Sequence, residues 1–350
     1  MQELNENRSM KQKRPALKDI ASKLNVSITT VSFVLNGKGK EKKISDEVIK
    51  KIQDYTESIN FKPNLVAQSL RTGKTKIIVF MVEDISNYFF AKLARIIEDI
   101  AYNKDYKVLF CSNENDDKRS RELINLFYER QVDGFIIIPS AGIKNDIDDL
   151  IKKNVPVVLF DRYFPDLKTN YVVINNKDAA NKATRHLIDN GFKKIAFITT
   201  DVKQTQMLDR LKGYEECVSK AQLSSNVLEI PFKDVNSDKG KGLIHSFITD
   251  HAEYDAVFFS TNYLTQSGLE VIKHYNPNLL NELGIITFDD NDLFRIYTPT
   301  ISAVSQPLQE IGEKLMKIML NMLKEKDGSD SPQEVVLNAE LILRDSSNKR

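Results

Sequence analysis

Between Lys76 and Asp290 the chain alternates short, continuously apolar runs with amphipathic segments, and no other feature narrows its fold as much. The runs are KIIVFMV, YKVLFCS, VDGFIIIP, VPVVLFD, YVVI, KIAFIT, VLEI, DAVFFS and GIITFDD, with helical periodicity near 88–103, 118–130, 177–190, 207–222, 238–250 and 264–275. A strand that is apolar on both faces must be covered on both, so the pattern predicts parallel strands in a doubly wound α/β arrangement. Two rounds of it, roughly 76–174 and 175–303, predict two similar subdomains, with a further helix (306–325) and a final strand (334–343) crossing back. Ligands bind such sheets at the carboxyl ends of the strands, so two facing sheets would share one cleft.

The first 76 residues follow a different rule. Residues 1–14 have no periodicity and read as a mobile basic arm. In LKDIASKL, Leu17, Ile20, Ala21 and Leu24 fall on one helical face; Asn25-Val26 interrupts it, and Ser27 can cap a second short helix, ITTVSFVLN. After an exposed basic loop at Gly37–Lys40, Ser45 can cap a third helix whose buried stripe is Val48, Ile52, Tyr55 and Ile59. Pro63 suits the first turn of a further helix over NLVAQSLR, which Gly73 stops; so short a helix is marginal alone and needs a partner.

Charge separates these parts. Residues 1–76 carry 16 Lys+Arg against 8 Asp+Glu, a net of +8, which leaves 34 against 41, a net of −7, for the rest. A basic head on an acidic body points to a polyanionic partner for the head alone. Cys111 and Cys217 form no CxxC pair, and the four histidines share no face, so neither a disulfide framework nor a metal site is expected. The polar N-terminus lacks the apolar stretch of a secretory signal, and the run Ile77–Val82 is too short to cross a bilayer, so a cytoplasmic protein with no membrane association is expected. Arg71-Thr72-Gly73-Lys74-Thr75 imitates a P-loop, but Gln68 stands where its first glycine belongs. No GxSxG elbow or paired acid/base set suggests an enzyme, and no cofactor is expected.

The segments LKDIASKLNVSITTVSFVLNGK, FKPNLVAQSLR, VDGFIIIPS, VPVVLFDR, HLIDNGFKKIAFIT, DRLKGY and GIITFDDNDLFRIYTPTISAVSQP, in this order, resemble the lactose-repressor/galactose-repressor (LacI/GalR) family of bacterial transcriptional regulators. The resemblance covers residues 15–345. It implies a helix-turn-helix DNA-binding domain (15–61), a hinge helix (62–74) and a body (75–345) that resembles periplasmic sugar-binding proteins in fold. The body would comprise an N-subdomain of about 75–174 and 305–327 and a C-subdomain of about 175–304 and 332–345, followed by a tail at 346–350.

It also implies roles. The second helix would enter the major groove, with Ile28, Thr29 and Phe33 at base edges and Ser27, Thr30, Ser32 and Asn36 at phosphates. Phe33 departs from the usual polar reader and would offer only an apolar contact, or else pack as a core aromatic. In the hinge, Leu70 would wedge into the minor groove beside Ala67, with Arg71 at a phosphate; paired hinges require a homodimer and a palindromic operator. Tyr88, Phe89 and Phe90, then Asp161, Arg210, Asn262 and Asp289, would bind a small effector, a sugar or sugar derivative. Gln204 and Gln206 stand where purine-binding members carry other contacts. The competing expectations are a catabolite-control-type regulator governed by a phosphoprotein partner and a solute-binding module.

Overall fold

The computed structural model describes residues 15–62, 69, 72–249, 254–324 and 331–348, in two compact units, Met1–Thr75 and Lys76–Arg350. Ala67, Leu70, Arg71 and the basic arm lie outside the described residues.

In the first unit three helices, α1 (Leu17–Leu24), α2 (Ile28–Leu35) and α3 (Asp46–Ser58), close around Ile20, Ala21, Leu24, Val31, Val34 and Ile52. Each boundary has a chemical cause. Asn25 takes the left-handed conformation (φ 55°) that ends α1. The Ser27 hydroxyl accepts from the Thr30 amide at 2.9 Å to start α2, and the Ser45 hydroxyl accepts from the Val48 amide to start α3. The expected stripe of α3 packs on this core, although only Ile52 in it is fully buried. The basic loop is less exposed than expected, because Gly39 is buried under α3; a Cβ there would stand 2.8 Å from Ile49 Cδ1.

The second unit holds two six-stranded sheets. In the first, β1 (Ile77–Val82) pairs with β2 (Lys107–Ser112) and β3 (Gly134–Ile137), followed outward by β4 (Val157–Phe160) and β5 (Asn170–Ile174). In the second, β6 (Ile195–Thr200) pairs with β7 (Asn226–Ile230) and β8 (Ala256–Phe259), followed by β9 (Gly284–Phe288) and β10 (Ser302–Ser305). All these pairs are parallel, and β1, β3, β4, β6, β8 and β9 are buried on both faces or nearly so, as the continuous apolar runs require. The long helix Leu308–Met322 returns to pack against the first sheet.

The single closing strand expected over 334–343 is two strands. Glu334–Leu337 runs parallel to β5 in the first sheet, and Glu340–Ile342 runs antiparallel to β10 in the second. The chain changes sheet at Asn338-Ala339, where the Asn175 side chain donates to Asn338 Oδ1 at 3.1 Å and accepts from the Ala339 amide at 2.9 Å. Residues 332–345 therefore divide between the subdomains. The expected tail also begins later: Ser346 Oγ donates to the Ile285 carbonyl at 2.6 Å, and Ser347 Oγ lies 2.7 Å from Ser302 Oγ, both fully or nearly buried. These hydroxyls satisfy backbone and side-chain groups at the edge of the second sheet that would otherwise be buried unpaired.

Helices Asn176–Asp189 and Thr205–Lys220 cross in close contact at Gly213, where an added Cβ would collide with the Lys177 carbonyl oxygen and reach Ala180 Cβ at 2.9 Å. The Asn181 side chain donates to the Gly213 carbonyl at 3.1 Å across the same contact. Gly213→Val is expected to destabilise the body by about 2–3 kcal/mol through overpacking, read as a lowered denaturation midpoint. An unchanged midpoint would mean that the helices can separate without cost.

Candidate functional site

The carboxyl ends of both sets of strands converge on one cleft, with about 430 Å³ of open space among Glu83, Phe89, Phe90, Asp161, Arg210 and Asp289. Glu83 follows β1, Asp161 and Arg162 follow β4, Ser260 to Asn262 follow β8, and Asp289 follows β9. The main-chain turns at Asp161 and Asp289 are left-handed (φ 65° and 69°), a conformation that aspartate tolerates better than most residues.

Arg210 is only 3% exposed. Its Nε donates to Asn176 Oδ1 at 2.9 Å, its Nη1 donates to the Ser260 carbonyl at 2.8 Å, and the guanidinium lies 3.8 Å over the Phe288 ring. Asp289 stands 3.9 Å from Arg210 Nη1 and accepts from Gln306 Nε2 at 2.6 Å. Burial pushes the Asp289 carboxyl above the usual range, against the pull of Arg210 and Gln306.

A second buried ion cluster, absent from the expected site, faces this pair. Arg162 is 2% exposed and donates through Nη2 to Glu83 at 2.6 Å and through Nη1 to Asn115 at 2.8 Å. Asp161 lies 3.5 Å from Arg162 Nε. Its carboxyl is pushed up to about 6 by burial, which outweighs the pull of Arg162 and Arg210; Asp289 and Glu83 add to the rise. Glu83 and Arg162 could have been found in the sequence, because both follow strand ends, where the sheet rule puts ligands.

The aromatic pair fulfils both readings at once. Phe89 and Phe90 meet edge to face with ring centroids 5.1 Å apart, pack into the main core and also line the cleft. Tyr88 and Asn262 line a neighbouring hollow instead. The Asn262 amide is engaged with Asn87, the two side chains exchanging hydrogen bonds at 3.1 and 3.3 Å, so it bridges the subdomains.

In the other unit Ser27, Ile28, Thr29 and Asn36 are exposed on α2, and Thr30, Ser32 and Phe33 are half-buried. Phe33 is not among the residues packed on the three-helix core; the Lys42 ammonium lies 5.7 Å from its ring centroid. A core role is thereby disfavoured. Ile28 is 47% exposed, with Thr29 beside it. An uncovered isoleucine at the start of a helix of this kind is available to a partner.

Two family models match the chain: residues 16–64 match bacterial regulatory proteins of the lacI family, and residues 184–347 match a periplasmic binding protein-like domain. Catabolite control protein A of Staphylococcus xylosus is 30% identical over 319 residues, which span 91% of this chain and 95% of that protein. The chain belongs to the lacI family of bacterial regulatory proteins. The ribose operon repressor of Haemophilus influenzae is 28% identical, over 94% of this chain and 98% of that protein. A crystal structure of the lac repressor dimer bound to operator and an anti-inducer shares the fold, with a TM-score of 0.81 at 18% identity, over 96% of this chain and 99% of that one. As a lacI-family protein the chain is a DNA-binding transcriptional regulator with a helix-turn-helix head and a periplasmic-binding-protein-like body. Among the described residues, no helix is long and apolar enough to cross a membrane.

The raised Asp161 carboxyl sets a pH dependence. The protonated form is favoured in the folded state, so its stabilisation is complete below the ordinary carboxylate range and is lost as pH rises through about 6. A ligand hydroxyl that donates to Asp161 needs the ionised form. Ligand affinity, measured by calorimetry, is therefore expected to fall as pH drops from 7 to 5. The Asp161→Asn variant should have a flat profile, and equal slopes in both proteins would remove Asp161 from the site.

Proposed function

We propose that the chain is a cytoplasmic repressor that binds a palindromic operator as a homodimer, is controlled by a sugar or sugar derivative bound between its two subdomains, and has no catalytic activity. The observation that carries this reading is the convergence on one cleft of Arg210 and Asp289 from one subdomain and Asp161, Arg162 and Glu83 from the other. A polyhydroxylated molecule bound there would touch both subdomains and so be sensitive to the angle between them. An effector that binds the two arrangements with different affinity shifts the population of the DNA-competent one; one that binds both equally shifts nothing.

On the DNA side, the reading gives Ser27, Ile28, Thr29, Thr30, Ser32, Phe33 and Asn36 to the major groove and its phosphates, and Ala67, Leu70 and Arg71 to the minor groove. The exposure of Ile28 and Thr29 on α2 supports the first assignment. Fluorescence anisotropy of the full chain with inverted-repeat DNA from around its own gene, against scrambled DNA, tests the reading. Specific binding relieved or strengthened by a sugar supports it. Binding that no small molecule changes would favour control by a phosphoprotein partner.

A further inference from the structure

The hydrogen-bonding polarity of the cleft follows from one fixed end. An ionised glutamate only accepts, so the Asn115 amide turns Nδ2 toward Glu83 Oε2, at 2.7 Å. Asn115 Oδ1 therefore faces the other way, where it accepts from Arg162 Nη1 at 2.8 Å and from Gln204 Nε2 at 3.3 Å. Gln204 lies in the opposite subdomain, and its Oε1 is left buried without a hydrogen-bond partner. The Gln206 Oε1 is buried and unpartnered as well, and both glutamines line the cleft.

The free groups are thus mostly acceptors. Asp161 and Asp289 add carboxylate oxygens to the two amide oxygens. The guanidinium donors are largely committed: Arg162 to Asn115 and Glu83, and Arg210 to Asn176 and the Ser260 carbonyl. In charge, Glu83, Asp161 and Asp289 outnumber Arg162 and Arg210. An acceptor left unpaired in such a place favours a ligand that donates to it, and a surplus of buried negative charge opposes an anion.

We propose that the cleft selects an uncharged ligand rich in hydroxyl donors and rejects the phosphate ester of the same sugar, with Gln204 and Gln206 as the selectivity-determining residues. The inference rests on the reading of the cleft as an effector site. A phosphate monoester would bring acceptor oxygens to amide and carboxylate oxygens, and close to two negative charges to a cleft that already has an excess of them. A free sugar supplies a hydroxyl proton to each unpaired acceptor and leaves the Glu83–Asn115–Gln204 chain intact.

Calorimetry of the full chain with free pentoses, hexoses and disaccharides, each beside its monophosphate, tests the proposal. The expected result is a free sugar that binds at least about 10-fold more tightly than its phosphate, the factor that one lost charge-assisted hydrogen bond represents. Gln206→Leu should weaken the free sugar about 10-fold while the circular dichroism spectrum is kept. Gln204→Arg, which puts a cation in place of an acceptor, should narrow the gap between sugar and phosphate and supplies a second readout if the leucine variant does not fold. A phosphate that binds as tightly as the free sugar, or an unchanged gap in Gln204→Arg, overturns the selectivity but leaves the effector site standing. If no sugar or phosphate binds, the effector reading falls, and the selectivity with it.

Discussion

Exchanging Asp289 for asparagine is expected to weaken effector binding by about 10- to 100-fold, the worth of a charge-assisted hydrogen bond, while operator binding and folding remain intact. The asparagine keeps the size of the side chain, tolerates the left-handed backbone at this position, and can still accept from Gln306. Arg210 keeps its bonds to Asn176 and the Ser260 carbonyl, so no buried cation is stranded. Arg210→Leu should behave differently. It removes the cation facing Asp289, leaves the Asn176 Oδ1 and Ser260 carbonyl acceptors unpaired, and should lower stability by about 3–5 kcal/mol, with ligand binding lost as well. Denaturation and calorimetry on the two variants separate binding from folding. A stable Asp289→Asn protein still released from DNA by its effector would show that Asp289 does not touch the ligand.

Leu70→Ala is expected to reduce specific operator binding about 100-fold while changing non-specific DNA binding by less than about 2-fold, because it deletes an apolar wedge and no charge. Wedging unstacks a base step and bends the duplex, and the bend is what admits contacts that random DNA does not offer. Anisotropy at several salt concentrations checks this, since the charge-driven component declines with salt in the same way for both proteins. Equal losses on operator and random DNA would place Leu70 outside the minor groove.

The repeating strands, the major helices of the body and the three-helix head were legible because their signals are local. Serine caps, helical spacing and runs apolar on both faces act within a few residues of where they are written. Arg210, Asp289 and Asp161 were legible as site candidates through the family resemblance and their places near strand ends. Short helices such as Lys144–Lys152 and Asp292–Ile296 were not anticipated, since one or two turns carry too little periodicity. The division of 334–343 between the sheets was also hidden, because it depends on the Asn175 side chain, more than 150 residues earlier.

What the sequence by itself determined is the architecture: strands with two apolar faces have no stable place except inside a layered sheet, and a basic segment ahead of an acidic body reads from composition alone. The polarity of the cleft was decided only in three dimensions. Arg162 and Glu83 are 79 residues apart, and Gln204 and Asn115 are 89 apart. The direction in which each amide faces depends on which ion the fold brings beside it, and hydrogen-bond direction between distant side chains leaves no local pattern to read.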